Sequence, residues 1–214
     1  ALQSKEAAIG FHKMLAEWTP EHLHQQLHPD KVYIQPATHG VKAIGYVIKP
    51  GRIYISNNIV GNMYDTLDRS EGIGLAAPQI GLPIRLVVIN LDLLSEDLPE
   101  YKGFIHTFIN AHIVEYDDTE KDSSEEGCLS LPGIHEKVVR PTRIRVKYMD
   151  EKFVEHDEWI DGYLARVMQH EFDHLDGKVF TDHLVGLRKQ MVKGKLNNLL
   201  KGNFSCNYKV KVRR

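Results

Sequence analysis

His170 and His174 stand four residues apart with Glu171 beside the first, in the run Gln169-His170-Glu171-Phe172-Asp173-His174. On a helix of about 3.6 residues per turn this spacing projects both imidazoles from one face, where they can share a divalent metal ion. Glu171 points close to that face without sharing its direction, so its carboxylate is placed for a water molecule rather than for the metal. Two imidazoles leave such a site unfinished. Cys128, within Glu126-Gly127-Cys128-Leu129-Ser130, can complete it. A thiolate and two imidazoles fill three tetrahedral positions and leave the fourth for water, the arrangement of a catalytic rather than a structural site. Water there becomes acidic near neutral pH, and Glu171 can take its proton and later pass it to a leaving group.

Attack on a carbonyl builds an oxyanion, which needs donors fixed where the charge develops, each worth ~3 kcal/mol. The side-chain amide of Gln79 and a backbone N–H of the turn at residues 128–130 are the nearest candidates. Plainer readings stand beside these: a turn hydrogen bond for Gln79, and a small buried apolar residue for Cys128.

Elements must hold these groups still. Upstream of His170, Val167 and Tyr163 fall on the histidine side of the helix, Leu164 and Met168 form an adjacent apolar stripe, and Asp161 and Gly177 mark its two ends. Before it, residues 143–149 alternate Ile144, Val146 and Tyr148 against Arg145 and Lys147, a half-exposed strand, and residues 153–160 read as another. Residues 84–91 are a Val/Ile/Leu-rich strand. It follows Gly72-Ile73-Gly74-Leu75-Ala76-Ala77-Pro78-Gln79, whose small residues let a second backbone approach at Gly74. Residues 92–103 read as a surface loop, 104–117 as one or two strands, and the acidic run 117–126 as a solvated loop.

Helices are expected over 4–18 and from Ser56 to Arg69, where Ile59, Met63 and Leu67 repeat and Glu71-Gly72 closes the element. Between them lies an irregular arm broken by prolines and glycines, whose histidines (His12, just upstream, with His22, His24, His28 and His39) build no ligand constellation. A last helix, through Leu184, Leu187, Met191, Leu196 and Leu199, is expected to break near Gly194, and the basic tail after it receives no role. The pattern predicts an α+β fold: antiparallel β-sheets packed around a central metal-binding helix, plus N- and C-terminal helices. It divides into an arm over 1–50, a catalytic domain over 51–200 and a tail over 201–214.

With 214 residues, 42% hydrophobic, and a formal charge of -2, the composition suits one catalytic domain and argues against direct nucleic-acid binding. No apolar run approaches the ~20 residues of a membrane span. The two cysteines, Cys128 and Cys206, sit in unlike settings, which points to a reducing compartment rather than a disulfide framework.

The segments 72–79, 126–130 and 169–174 together resemble the three signature segments of the peptide deformylase family, in that family's order. The resemblance implies removal of the formyl group from N-formylmethionyl peptides, with release of formate. It makes Cys128, His170 and His174 the metal ligands, Glu171 the acid/base, and Gln79 with the Leu129 N–H the oxyanion donors. Ile73 and Gly74 become the peptide-binding edge, while Tyr163, Arg166 and Val167, with Ile73, shape the methionine pocket, and Glu126 joins the substrate-facing set. The implied metal is Fe(II), with Zn(II), Ni(II) or Co(II) as ions a purified protein can carry; the implied partners are the formylated peptide, the ribosome and a second copy in a homodimer.

Some positions depart from the family's pattern. Its N-terminal Asp-Pro and Leu-Arg are replaced by a distant echo at His28-Pro29-Asp30, Ala111 stands where proline is common, and His135 occupies a place where some members carry a basic residue that meets the peptide. The arm and the first residue, Ala1, favour a mitochondrion or another bacterium-derived organelle, with a bacterial cytoplasm as the alternative. Two other functions compete: a zinc endopeptidase taking Asp182 or His183 as third ligand, and an inert scaffold.

Overall fold

The computed structural model describes residues 57–82 and 84–210. The helix expected over 4–18, the irregular arm and its histidines lie outside them. The first described element, α1 (Asn57–Arg69), buries Met63 and Leu67 completely, with Ile59 packed alongside. It closes where Gly72 N–H reaches back to Leu67 O at 3.2 Å, with Glu71 at φ 56. The left-handed residue of this cap is thus Glu71. Gly72 is small for another reason: a Cβ there would stand 2.9 Å from Leu129 Cδ1.

One five-stranded antiparallel sheet follows, in sequential order: β1 (Gly74–Ala76), β2 (Leu86–Asn90), β3 (Ile105–Gly127), β4 (His135–Met149) and β5 (Glu155–Asp161). β1 and β2 are buried throughout, which explains the near-continuous apolar sequence of β2. The acidic run 117–126 is a strand and not the loop expected. Its partners account for the difference: Glu115 faces Arg145, Asp117 faces Arg143, Asp122 faces Arg140 and Glu125 faces Lys137 across β3 and β4. Opposite charges on facing residues stabilise a pair by ~0.2–1 kcal/mol, so a run that would repel itself in a loop is neutralised in the sheet.

The second helix, α2 (Gly162–Leu175), lies against this sheet. Ala165, Met168, Phe172 and Leu175 sink into the core formed by Val87, Ile89, Phe108, Ile144 and Val146. Burying a side chain such as Phe172 contributes ~1.5–3 kcal/mol, enough to pin the opposite face in register. Gly162, at φ 65, turns the chain out of β5. The Asp161 carboxylate pairs with Arg143 at 3.2 Å and makes no side-chain cap bond. At the other end Gly177 is left-handed, at φ 73, and Lys178 N–H closes on Asp173 O at 2.8 Å.

The last helix, α3 (Gly186–Leu200), runs through Gly194 without the expected break. Leu187 and Met191, expected on its apolar face, are 71% and 65% exposed. Only Val192 and Leu199, with Leu196, dock on the third core around Leu131, Ile134 and Val138; apolar residues are scattered around this helix, and a glycine that packs on nothing interrupts nothing. Among the described residues no helix is long and apolar enough to cross a membrane.

Candidate active site

The face of α2 opposite the core meets the turn between β3 and β4. There the donor atoms of Cys128, His170 and His174 all lie within 4.8 Å of one another, with Cys128 Sγ 3.2 Å from His174 Nε2. A soft thiolate beside two imidazoles suits zinc or ferrous iron, so the residues fit a divalent ion. Burial alone would raise the Cys128 thiol, but the His174 charge and hydrogen bonds from both histidines pull it well below the ordinary thiol range. The Ser130 N–H, 3.4 Å from Sγ, adds a further donor to the thiolate.

His170 is held from behind. A carboxylate only accepts, so the 3.0 Å contact between His170 Nδ1 and Glu126 Oε2 puts the proton on Nδ1 and leaves Nε2 to bind metal. Glu126 is itself clamped: Arg140 donates to both oxygens at 2.7 and 2.9 Å, and Arg166 Nη1 to Oε1 at 2.7 Å. Arg140 then reaches Asp173 Oδ2 at 2.8 Å, which also accepts from His183 Nε2 at 2.7 Å. For Glu126, burial opposes ionisation, yet the hydrogen bonds from His170 and Arg140 hold its carboxyl far below the usual carboxylate range. Expected to face substrate, Glu126 has both oxygens committed to protein groups. Arg166 likewise spends its guanidinium on Glu126, Asp122 and the Val138 carbonyl.

Glu171 sits 4% exposed above the ligands, and its Oε2 has no hydrogen-bond partner among the described residues. Burial pushes its carboxyl up against the opposing pull of His170 and His174, with Cys128 and Glu126 adding to the rise. A buried carboxylate oxygen without a donor is costly unless water or substrate reaches it. Gly74 forms the adjacent wall: a Cβ there would lie 2.8 Å from Glu171 Cδ. Among the described residues β1 pairs with β2 alone and is the outer strand of the sheet, and Ile73 and Gly74 line the cleft.

Gln79 is oriented by its acceptor. The Ala76 N–H donates to Oε1 at 2.8 Å, which turns Nε2 towards Ser130 Oγ at 3.1 Å and Cys128 Sγ at 3.8 Å. Leu129 and its neighbours, Tyr163 and Val167 line the same cleft, of about 480 Å³, the size of a small-ligand pocket. His135 also borders it, packed so close to Gly127 that a Cβ there would meet its ring at 2.6 Å. Asp182 and His183, the alternative third ligands, are engaged elsewhere: Asp182 accepts from the Val179 N–H and His183 donates to Asp173.

Sequence reasoning did not single out Arg140 or Asp173, although Asp173 lies inside the histidine motif. It also gave no role to residues 205–208, which border the cleft.

The match to known proteins runs along the same elements. A family model described as polypeptide deformylase matches residues 47–190. The peptide deformylase of Flavobacterium johnsoniae is 42% identical over 178 residues, covering 80% of this chain and 90% of the relative. That of Cytophaga hutchinsonii is 36% identical over 185 residues, covering 86% and 97%. Among solved structures, a plant peptide deformylase superposes with a TM-score of 0.70 at 30% identity, over 83% of this chain and 92% of that one. The enzyme of Ehrlichia chaffeensis in complex with actinonin gives 0.64 at 31%, over 82% and 100%.

Proposed function

The chain belongs to the peptide deformylase family, and we propose from that premise which of its residues carry out the reaction. It is a metal-dependent hydrolase that removes the N-formyl group from formylated peptides and releases formate, a step in protein biosynthesis. Cys128, His170 and His174 hold the divalent ion. The observation that carries this assignment is the convergence of their donor atoms within 4.8 Å beside a buried, unpartnered Glu171 oxygen.

A divalent ion bound there supplies a Lewis acid that acidifies water and polarises the formyl carbonyl. Glu171, with its raised carboxyl pKa, takes a proton from the attacking water and delivers it to the departing amine. Gln79 Nε2 and the Leu129 N–H donate to the carbonyl oxygen as negative charge grows on it. The open edge at Ile73 and Gly74 pairs with the extended peptide, as a strand added to β1. Tyr163 and Val167 wall the methionine side chain, while Glu126 and Arg166, lining the same pocket, act on the substrate by fixing His170 and the turn.

The ion in the cell is Fe(II), with Zn(II), Ni(II) or Co(II) accepted in its place, since the donor set suits each. The curated relatives come from bacteria, Flavobacterium, Cytophaga and Chlorobaculum among them, and this favours a bacterial cytoplasm over an organelle. The formylated nascent chain makes the ribosome a natural partner, and the exposed Leu187 and Met191 offer a homodimer an apolar face.

The test is formate release from a formyl-Met-Ala peptide by protein loaded anaerobically with Fe(II) or Zn(II), or stripped by chelator. Metal-dependent formate without internal cleavage is expected. Silence from fully metallated protein, or cleavage of internal peptide bonds, would overturn the reading.

A further inference from the structure

Beyond α3, residues 201–208 stay against the molecule. Gly202, at φ 76, reverses it, with Asn203 N–H closing on Asn198 O at 2.9 Å. Phe204 then packs on the cluster containing Leu131, Ile134 and Val138, and residues 205–208 come to border the catalytic cleft. This stretch lies outside the 47–190 span of the family match.

Two hydrogen bonds fix it, and each ends on a different rim. The Tyr208 hydroxyl donates to the Leu129 carbonyl at 2.8 Å, next to Cys128. Asn207 Nδ2 donates to Glu71 Oε2 at 3.3 Å, two residues before the Ile73 and Gly74 edge. The returning tail thus ties the Leu129 side of the cleft to the Glu71 side.

We propose that residues 205–208 form a further wall of the peptide cleft and restrict the size of the substrate residues that follow the formylated methionine, with Tyr208 as the positioning residue that latches the wall to Leu129. The proposal rests on the reading of the cleft as a formyl-peptide site. Ser205, Cys206, Asn207 and Tyr208 include no carboxylate and no basic side chain, so the selection is steric: small side chains pass and bulky ones meet the tail. The same tie couples the wall to the Cys128 turn, because the Leu129 carbonyl shares its peptide group with the Ser130 N–H that faces Cys128 Sγ.

The experiment compares the full chain, a chain stopped after Gly202 and Tyr208→Phe, each metallated and checked for folding by circular dichroism. Substrates are formyl-Met-Ala-Ala and formyl-Met-Ala-Trp. The full chain is expected to favour the alanine peptide, and the stopped chain to lose ~3–10-fold of that preference, through KM rather than kcat. Tyr208→Phe, which keeps the ring and loses the latch, is expected to fall between them. Titration calorimetry with the unformylated Met-Ala-Trp should show tighter binding to the stopped chain. Equal preference and equal calorimetric affinity in all three proteins would overturn the proposal. Absence of formate from every protein would overturn the functional reading instead, and calorimetry would still decide whether the tail is a wall.

Discussion

Replacing Gly74 by alanine tests whether the strand edge and the Glu171 carboxylate, the proposed acid/base, are built against each other. A strand residue tolerates alanine at no conformational cost, so the effect of Gly74→Ala comes from contact alone. The new Cβ would lie 2.8 and 2.9 Å from Glu171 Cδ and Cγ, inside the distance that real methyl groups reach. Relief needs a displacement of roughly half an ångström or more, because carbon atoms pack at about 3.5–4 Å. Glu171 is the movable partner, yet it is 4% exposed and flanked by His170 on its own helix, so the shift is taken up at the carboxylate. A misplacement of about 1 Å can cost ~100-fold in rate. The expected loss in kcat is therefore ~10–100-fold, equivalent to roughly 1.4–2.7 kcal/mol of barrier, accompanied by ~1–3 kcal/mol of lost stability from overpacking. Cys128, His170 and His174 are untouched, so metal content should stay at one ion. The assay is steady-state formate release with metal analysis and a urea melt on the same preparation. A kcat within twofold of the parent, at unchanged metal content, would refute the close fit between Gly74 and the proton carrier.

Glu171→Gln should retain the metal and lose ~10²–10⁴-fold in formate release, because the ligands survive and the proton carrier does not; normal turnover would remove Glu171 from the chemistry. Arg140→Met leaves Glu126 and Asp173 facing each other's side of a buried network without their shared cation, and urea denaturation should show a loss of ~3–5 kcal/mol. A loss below ~1 kcal/mol would mean that water or Arg166 replaces the guanidinium. Burial pushes the Asp173 carboxyl up, but the His183 hydrogen bond and the Arg140 charge overcome it and hold the group below its ordinary range. A depressed carboxylate contributes stability that is present above its unfolded pKa of ~3.9 and is lost as pH falls through the folded value. Asp173→Asn should therefore flatten the loss of stability below about pH 4, read from urea midpoints between pH 7 and pH 3; parallel curves would exclude the linkage.

The cluster proposed to react is the most legible part of the sequence because chemistry restricts both the types and the spacing of such groups. His170, Glu171 and His174 need one helical turn, and the apolar positions of α2 announce that helix by themselves. Cys128 is legible as a ligand only because a third soft donor was wanted. The buried network is not legible in the same way. Arg140, Glu126 and Asp173 meet through the register of β3 on β4 and the docking of α2, neither of which a local pattern encodes. The acidic run shows the same limit: carboxylates in sequence look like a solvated loop until the facing strand supplies arginines. In α3 the apolar residues carry no consistent periodicity, so Leu187 and Met191 could not be sorted from Val192 and Leu199 before the packing was seen. Residues 202–208 carry no periodicity, and their place at the cleft depends on the reversal at Gly202.

The sequential order of the sheet bears on how the molecule comes together in time. Every strand pairs with its neighbour in the chain, so the sheet can grow by successive hairpins, each closing a short loop at modest entropic cost. The proposed metal ligands break that locality: Cys128 and His174 are 46 positions apart, on the hairpin and on the helix that follows the finished sheet. No subset of hairpins contains the site. It is complete only when α2 is docked on the sheet, so it joins two parts of the fold that no hairpin holds together. An ion held by both would tie α2 to the β3–β4 turn, and would stabilise the folded chain by mass action in proportion to its binding.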